Sequence, residues 1–192
     1  MVKSSFAPAL TNQWIELRAP LPTDIPVLLH ATRASRRVHS PWVKAPATTQ
    51  ALEAWLERSA YDDHQSLLAI RRDDRSPVGV FNFSQIVRGL FCSAYLGYYA
   101  LVPNAGRGFM RAAFPLVLNA GFGRLELHRI EANIQPENLA SRTLLQSAGF
   151  RLEGFSPKYL KIGGRWRDHE RWAILNEEWM SRRRQYVITA PN

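Results

Sequence analysis

Three consecutive β-rich segments constrain the fold of this chain more than any other feature. They read SLLAIRR (66–72), SPVGVFNFSQIV (76–87) and LFCSAYLGYYALV (90–102), and only the short turns DDRSP and RGL separate them. Strands that are joined by such short turns pair with their neighbours in antiparallel order. The middle of the chain therefore predicts an antiparallel meander of three strands.

Helical and extended segments alternate on both sides of this meander. Before it, WIELRAP (14–20) is typical of a strand, PTDIPVLLHATRAS predicts a helix with Thr23 as its N-cap, and TTQALEAWLERSAYDD predicts a second helix. After it come an apolar helix over 108–123 that contains Pro115, a strand LHRIEANI, a helix PENLASRTLLQSAG, a strand FRLEGF and a hairpin across KIGGRW. This order, β-α-α-β-β-β-α-β-α-β-β, predicts an α/β fold with a mixed sheet rather than repeated βαβ units.

The composition is that of an ordinary globular protein. The chain has 192 residues, of which 46% are apolar and 21% charged, and no Pro/Gly/Ser-rich linker divides it, so we expect one domain over 1–192. The longest apolar stretches are shorter than the roughly 20 residues that span a bilayer, which predicts a soluble protein without a membrane partner. The N-terminal segment lacks the apolar run of a secretory signal, and the single Cys92 allows no intramolecular disulfide. Both features predict a cytoplasmic protein.

The chain is strongly basic. Its 25 Lys and Arg residues outnumber 16 Asp and Glu residues, which gives a formal net charge of +9 at pH 7. Such a charge favours binding to phosphates, whether these belong to a nucleic acid, a ribosome or an anionic cofactor.

The segment VPNAGRGFM (102–110) predicts an anion site. It lies between the last strand of the meander and the apolar helix, so its backbone N–H groups face a helix N-terminus, where anions bind. Gly106 and Gly108 have no Cβ, which allows a positive φ and a close approach of an anion to the backbone. The same two glycines could equally serve only to turn the chain. The segment lacks the G-x-G-x-x-G and G-K-[ST] patterns of dinucleotide and nucleoside triphosphate sites, since Arg111 occupies the third glycine position.

The helix PENLASRTLLQSAG carries two polar residues of interest. Pro136 and Glu137 favour a helix start, and Gly149 favours a C-cap. Asn138 and Ser141 are three residues apart and therefore project from the same side near the helix N-terminus. Taken alone, both side chains could simply be solvated.

From Gly106 onward the chain resembles the GNAT superfamily of N-acetyltransferases. The loop with Gly106 and Gly108 is similar to the superfamily's [QR]-x-x-G-x-[GA] loop, with Pro103 at the position where the family usually has Gln or Arg. The segment HRIEANIQPENLASRTLLQSAGFRLEGF resembles a second superfamily motif, and YLKIGGRWRDHERWAIL resembles the C-terminal hairpin of the ribosomal-protein alanine N-acetyltransferases. The resemblance covers about Trp14 to Trp179 and is most specific from His128 to Leu175.

This resemblance implies a fold, a cofactor and a reaction. The fold would be a mixed, mostly antiparallel twisted sheet of about six to seven strands flanked by about four helices. The cofactor would be acetyl-CoA. The acceptor would be a primary amine, namely the N-terminal α-amine of a ribosomal or other protein, which attacks directly while both substrates are bound. The protein would act as a monomer or a homodimer. The residues expected to bind acetyl-CoA are Tyr99, Ala100, Leu101, Asn104, Ala105, Gly106, Arg107, Gly108, Phe109, Met110, Asn138 and Ser141.

Direct acetyl transfer needs a neutral amine, a donor for the thioester oxygen and a proton for the leaving thiolate. By the resemblance Ser141 would help to protonate the thiolate, and Tyr159 would lie beside the acceptor. Candidates for the base are Glu131, Asp168, His169 or a water relay. Each has a structural alternative: Glu131 alternates onto the polar face of its strand, Asp168 could merely orient His169, and Tyr159 could be a packing residue.

Two other functions fit parts of the sequence. Arginine-rich segments such as SRRRQ and GGRWRDHERW are compatible with a nucleic-acid or ribosome-binding module without catalysis, although the arginines form no stripe. In such a module Trp166, Trp172 and Tyr159 could stack on bases. Direct nucleic-acid binding is therefore allowed but not required. An acetyltransferase that acts on a small-molecule amine would favour an acidic pocket, which the positive net charge opposes. His30, His39 and His64 lack spaced ligand partners, so no metal site is expected.

Overall fold

The structure is a computed structural model that describes residues 8–183 and residue 191. Residues 1–7, on which part of the signal-sequence expectation depends, and residues 184–185 of the basic segment SRRRQ lie outside the described residues.

The described residues form eight strands and six α-helices. The strands are β1 (Leu10–Thr11), β2 (Ile15–Arg18), β3 (His64–Arg71), β4 (Pro77–Val87), β5 (Ser93–Ala100), β6 (Arg129–Ile134), β7 (Arg151–Ile162) and β8 (Arg165–Leu175). The helices are α1 (Ile25–Ala34), α2 (Arg36–His39), α3 (Thr49–Arg58), α4 (Phe109–Asn119), α5 (Leu139–Ala148) and α6 (Asn176–Arg182). Among the described residues, no helix is long and apolar enough to cross a membrane.

All eight strands join one sheet in the order β1-β2-β3-β4-β5-β6-β8-β7. Neighbouring strands are antiparallel except β5 and β6, which are parallel. This confirms the predicted mixed, mostly antiparallel sheet and the meander of β3, β4 and β5. The strand and helix counts exceed the expected ones because β1, α2 and α6 are too short to show a clear periodic pattern.

Apolar residues are buried on both faces of the sheet. On one face α4 and α5 pack on a large core that includes Phe81, Phe114 and Phe150, whose rings meet edge to face. On the other face Leu28 of α1 and Leu52 of α3 belong to a smaller core. Because both faces are covered, β3 is buried over most of its length. The two cores fix the central strands, on which the site is built.

The two parallel strands separate soon after they meet. Their pairing covers only Ser93–Tyr95 of β5 and Arg129–Glu131 of β6, whereas β5 continues to Ala100 and β6 to Ile134. Beyond this short pairing the strands diverge and leave a wedge-shaped opening in the sheet.

Two helix starts differ from the sequence expectations. Thr23 is not the N-cap of α1: a 3₁₀ turn precedes the helix, and Asp24 occupies the cap position. The Asp24 carboxylate accepts the Leu21 N–H at 2.7 Å and binds the Arg18 guanidinium at 2.7 Å, which fixes the turn. Helix α5 starts at Leu139 rather than at Pro136, because the Asn138 side chain caps it.

Candidate active site

The opening between β5 and β6 widens into a cleft of about 620 Å³. The diverging ends of both strands, the loop before α4, the first turns of α5 and part of the β7–β8 hairpin form its walls. Its lining includes Tyr98, Tyr99, Ala100, Ala105, Gly106, Gly108, Met110, Asn133, Asn138, Ser141, Leu160, Ile162 and His169, together with His39 and Val43. The cleft thus brings together residues from the middle, the C-terminal part and the N-terminal part of the chain.

The loop before α4 has the geometry of an anion site. Gly106 and Gly108 have φ values of +78° and +86°, in the left-handed region that favours glycine, as the sequence predicted. Gly108 occupies the N-cap of α4, and no side chain among the described residues caps the helix. Within the described part of the chain, the N–H groups of Ala105, Gly106 and Gly108 have no hydrogen-bond acceptor. These donors and the positive end of the α4 dipole suit a phosphate group.

The residues expected to bind the cofactor around this loop fall into two groups. Tyr99, Ala100, Ala105, Gly106, Gly108 and Met110 line the cleft. Leu101 and Phe109 instead are buried in the apolar cores. Asn104 is only 1% exposed and donates to Ser76 Oγ and to the Pro77 carbonyl, at 2.9 and 3.0 Å, so its side chain anchors the loop to β4. The Arg107 guanidinium lies 5.6 Å from the centre of the Phe109 ring and is outside the cleft lining.

The backbone of β5 offers donors along the cleft. The Leu101 N–H donates to the Val78 carbonyl at 2.8 Å and therefore belongs to the pairing with β4. Because backbone groups alternate in direction along a strand, those of Tyr98 and Ala100 point toward the cleft. Of Tyr99, Ala100 and Leu101, which were expected to bind acetyl-CoA, Ala100 therefore directs its N–H toward the cleft. The N–H of Tyr98, which was not expected, points the same way. The Ala100 carbonyl accepts a hydrogen bond from His39 Nε2 at 2.8 Å, which holds this edge in place.

Asn138 and Ser141 both line the cleft, on the opposite wall. The Asn138 side-chain oxygen accepts the Ser141 N–H at 3.1 Å, so the asparagine serves the start of α5. The Tyr98 hydroxyl donates to the Ser141 carbonyl at 3.3 Å and ties the helix start to β5. The Ser141 hydroxyl is within hydrogen-bonding reach of the Tyr98 hydroxyl. A hydroxyl hydrogen rotates to suit its acceptor, so the serine can turn from Tyr98 to a ligand in the cleft.

His169 is the titratable base candidate that lines the cleft. It is 3% exposed, and its Nδ1 lies 3.0 Å from the Arg167 carbonyl oxygen. Since a carbonyl can only accept, Nδ1 carries the proton and the lone pair is on Nε2. Burial lowers the pKa of His169, which favours the neutral ring. Asp168 does not orient this ring, because its carboxylate accepts the Lys158 N–H at 2.7 Å.

Glu131 and Tyr159 lie at the closed end of the wedge, outside the cleft lining. The Glu131 carboxylate accepts a hydrogen bond from Arg129 Nε at 2.7 Å, and Arg129 also binds Glu153. Tyr159 is hydrogen-bonded to Tyr95, which raises the pKa of Tyr95 to about 12. The Tyr159 ring lies 6.3 Å from that of His169. The catalytic roles of both residues stay predictions.

Sequence reasoning missed two residues of the cleft. His39 is 5% exposed, and its ring meets the Tyr99 ring edge to face at 5.0 Å. Burial lowers its pKa. A lone histidine gives no sequence signal for such a position. Asn133 lines the cleft with a buried side-chain oxygen that has no hydrogen-bond partner in the described structure. The alternation along β6 placed Asn133 on the polar face but could not show this orphan acceptor.

These features fit acetyl-CoA as a ligand. The free N–H groups of the loop suit its pyrophosphate, and the unpaired edge of β5 and the orphan oxygen of Asn133 suit the amide groups of its pantetheine arm.

Comparison with known proteins agrees with this reading of the cleft. Residues 15–151 match the family described as the acetyltransferase (GNAT) domain. This match spans more than half of the chain, so the chain belongs to the GNAT acetyltransferase family, whose members use acetyl-CoA. Its class of activity is acetyl-CoA-dependent N-acetyl transfer.

Individual relatives carry names that are more specific than this class of activity. The chain is 39% identical over 107 residues to the [ribosomal protein uS5]-alanine N-acetyltransferase of Escherichia coli, which covers 56% of this chain and 55% of that protein. This alignment spans only about half of the curated relative. The structure of Mycobacterium smegmatis RimJ in complex with CoA-disulfide is similar with a TM-score of 0.78 and 28% identity, over 85% of this chain and 83% of that one.

A relative with a different acceptor is also similar. The spermidine N(1)-acetyltransferase of Vibrio cholerae is 24% identical over 172 residues, which cover 89% of this chain and 98% of that protein. The family and the cofactor are therefore shown, and the comparisons leave the acceptor amine open.

Proposed function

We propose that this protein transfers the acetyl group of acetyl-CoA to the N-terminal α-amine of a protein, with both substrates bound at once. The observation that carries this proposal is the wedge between β5 and β6. It connects the anion-binding loop on one side with His39, His169 and the β7–β8 hairpin on the other. A cofactor and an acceptor that enter from these two sides would meet at the unpaired edge of β5.

The chain's own groups supply what direct transfer needs. Acetyl-CoA provides an activated thioester. The Ala100 or Tyr98 N–H is placed to donate to the thioester oxygen as it gains charge. As the amine nitrogen bonds to the acetyl carbon and the carbon–sulfur bond breaks, the Ser141 hydroxyl passes a proton to the leaving thiolate. The proton that the amine loses to the base restores the serine hydroxyl.

We assign the base to His169, acting directly or through a water molecule. Its Nδ1 makes the hydrogen bond to the Arg167 carbonyl, which leaves the Nε2 lone pair to accept a proton, and the ring lines the cleft. Glu131 remains the alternative base. Its carboxylate is engaged by Arg129, and it lies where β5 and β6 are still paired. Tyr159, which contacts the His169 ring, would orient that ring or the acceptor.

A protein α-amine suits this site better than a lysine side chain or a polyamine. Its reference pKa is about 7.7–8.0 against about 10.4 for lysine, so a far larger fraction is neutral near pH 7. A polyamine acceptor, as the Vibrio relative's name suggests, would need free carboxylates. Near the cleft, however, Glu131 pairs with Arg129, and Glu170 pairs with Arg142 at 3.1 Å. The E. coli relative's name supports a ribosomal-protein acceptor, and such an acceptor would be met in the cytoplasm.

An acceptor panel tests this proposal. The purified protein is incubated with acetyl-CoA and one of three acceptors: a peptide with a free small N-terminal residue and one internal lysine, the same peptide with a blocked N-terminus, or spermidine. Fragmentation mass spectrometry locates the acetyl group. We expect acetylation at the α-amine of the free peptide and little on the blocked one. Acetyl transfer only to lysine or only to spermidine would refute the proposed acceptor while leaving the family assignment intact.

A further inference from the structure

A second groove continues from the cleft on its acceptor side. It has a volume of about 610 Å³ and runs between the end of α1, α2 and residues 40–47 on one side and the β7–β8 hairpin on the other. His39, Val43 and Ile162 line both the cleft and this groove. A chain whose N-terminus is in the cleft would therefore leave through the groove.

The groove carries four cationic side chains and no carboxylate. Arg36, Lys44, Arg165 and Arg167 line it, and none of its lining residues is Asp or Glu. None of these four cations forms an ion pair with a described residue. By contrast, Arg18, Arg71, Arg129 and Arg151 elsewhere on the sheet all pair with carboxylates.

Two buried polar atoms in the groove also lack partners. Thr32 is 2% exposed, and its hydroxyl oxygen has no hydrogen-bond partner in the described structure. The Arg167 Nε–H is likewise buried and unpartnered. Buried donors without acceptors are unfavourable, and a cation without a counter-charge adds to the cost. An anionic group in the groove would satisfy both.

We infer that this groove, hereafter the cationic groove, binds the residues that follow the acetylated N-terminus and selects acceptors with Asp or Glu among the first few of them. This inference rests on the proposed function and specifies its acceptor. It also gives a physical reason why a polycationic amine would be disfavoured, because the four cations would repel it.

A peptide fits the cationic groove better than a nucleic acid does. Base stacking needs aromatic side chains, and His39 is the single aromatic residue of the lining, with its ring already packed on Tyr99. Trp166 on the hairpin is exposed but lies outside the lining. The groove is also continuous with the cleft. This suits a peptide, whose N-terminus must reach the cleft while the following residues lie in the groove.

Matched peptides test the inference. Three peptides share their first two residues and carry Glu, Gln or Lys at positions three to six, and kcat/KM for α-amine acetylation is measured at low and high salt. We expect the Glu peptide to exceed the Gln peptide by about tenfold at low salt, since complementary charge raises association rates, and the difference to shrink as salt screens it. The Lys peptide should be the poorest substrate.

Two variants locate the effect. The double variant Arg165→Gln with Arg167→Gln should reduce the ratio of Glu to Gln peptide toward one. The single variant Arg75→Gln removes the same kind of charge at the distant β2–β3 side of the sheet, where Arg75 binds Glu16, and should leave the ratio and the activity unchanged. If thermal unfolding shows that the double variant is not folded, Lys44→Gln replaces it and should lower the ratio in the same direction.

The outcomes separate this inference from the proposed function. α-Amine acetylation of the Gln peptide with no preference for Glu would overturn the selection of acidic acceptors and leave the proposed function standing. The selection of acidic acceptors would also be overturned if the double variant kept the preference for the Glu peptide. It would be overturned too if the double variant lost binding of a single-stranded oligonucleotide while its kcat/KM for the peptides stayed unchanged. Failure to acetylate the α-amine of any peptide would overturn both the selection of acidic acceptors and the proposed function.

Discussion

Ser141 shows how a single side chain acquires a role from its surroundings. Its N–H is taken by Asn138 and its carbonyl by Tyr98, so the backbone is fixed while the hydroxyl lies at the cleft beside the Tyr98 hydroxyl. The geometry therefore supports a proton donor whose position is set by the first turn of α5.

Replacement of this hydroxyl should affect the chemical step. For Ser141→Ala we expect kcat to fall by roughly ten- to a hundredfold with little change in acetyl-CoA affinity, since thiolate protonation matters only as the bond breaks. Steady-state kinetics and calorimetric titration measure the two quantities. The matched control is Ser147→Ala on the same helix, whose hydroxyl donates to the Leu144 carbonyl. Equal kcat in the Ser141 variant, with chemistry rate-limiting, would exclude Ser141 from the mechanism.

The two base candidates make different predictions. If His169 is the base, His169→Gln should lower kcat/KM by at least about tenfold at pH 7, with partial recovery at pH 9 where the α-amine is already neutral. Glu131→Gln should then have a smaller effect, because its carboxylate pairs with Arg129. A pH series of kcat/KM for both variants decides between them. A larger loss in Glu131→Gln, greatest at low pH, would restore Glu131 as the base.

At the scale of elements, the loop and the start of α4 form one unit. Asn104 holds the loop to β4, and Gly108 at φ +86° places the first turn of α4 against the cleft. A side chain at Gly108 would both crowd a bound phosphate and force a non-glycine residue into the left-handed region. Binding and backbone strain must therefore be separated experimentally.

A pair of glycine variants makes that separation. Gly108→Val should abolish measurable acetyl-CoA binding and lower stability, both through its positive φ and because its Cβ would lie 3.3 Å from the Pro191 Cα. Gly89→Val, at φ +70° in the β4–β5 turn, carries the same kind of backbone strain and should lower stability with unchanged binding. Calorimetric titration and urea unfolding measure both properties. A folded Gly108→Val protein with normal acetyl-CoA affinity would contradict the phosphate site.

The start of α5 gives a second test at this scale. Asn138 was expected to bind acetyl-CoA, and in the structure its side chain caps the helix. Asn138→Ala should cost about 1 kcal/mol of stability, and Asn138→Ser should recover most of it because serine is also a good N-cap. Urea unfolding measures the stability and KM for acetyl-CoA the binding. If KM rises equally in both variants while Ser restores stability, the amide also contacts the cofactor.

At the scale of the whole molecule, stability should depend on the two buried histidines. Burial lowers the pKa values of His39 and His169 in the folded protein, whereas both titrate near 6.5 when unfolded. Below pH 6.5 the unfolded chain therefore binds more protons than the folded one, and stability falls as pH falls through this range. The carboxyls of Glu16 and Glu153, whose pKa values Arg75 and Arg129 lower, lose their contribution only in more acidic solution.

Urea unfolding at pH 8.0, 6.5 and 5.5 checks this dependence. We expect the free energy of unfolding to be lowest at pH 5.5 and the decline to be shallower in His39→Gln, whose amide can still donate to the Ala100 carbonyl. His30→Gln on the exposed side of α1 serves as the matched control and should keep the full decline. A wild-type stability that is flat between pH 8.0 and 5.5 would contradict the assignment of both rings as neutral.

Local sequence determined most elements of this protein and the backbone of the glycine loop before α4. The meander, the glycine conformations at Gly106 and Gly108, and the alternation of Ile130 and Glu131 on β6 were confirmed, because short turns, missing Cβ atoms and a two-residue period act within a few residues. The helix start at Thr23 was wrong because the ion pair of Arg18 with Asp24, which a periodic pattern does not contain, fixes a 3₁₀ turn there. The helix start at Pro136 was wrong because Asn138 caps α5 through the Ser141 N–H, a local contact that outweighs the preference of proline for a first helical turn.

The tertiary structure alone decided where these elements leave space. The cleft exists because β5 and β6 pair over three residues and then diverge, and the paired segments are more than 30 positions apart in the chain. The same distant packing brings His39 against Ala100 and sets α2 opposite the β7–β8 hairpin. It also leaves the Asn133 oxygen without a partner among the residues that the structure describes. Residue preferences act within one helix or strand. A cleft, by contrast, is the space left unfilled between several elements, and its position depends on how all of them pack together.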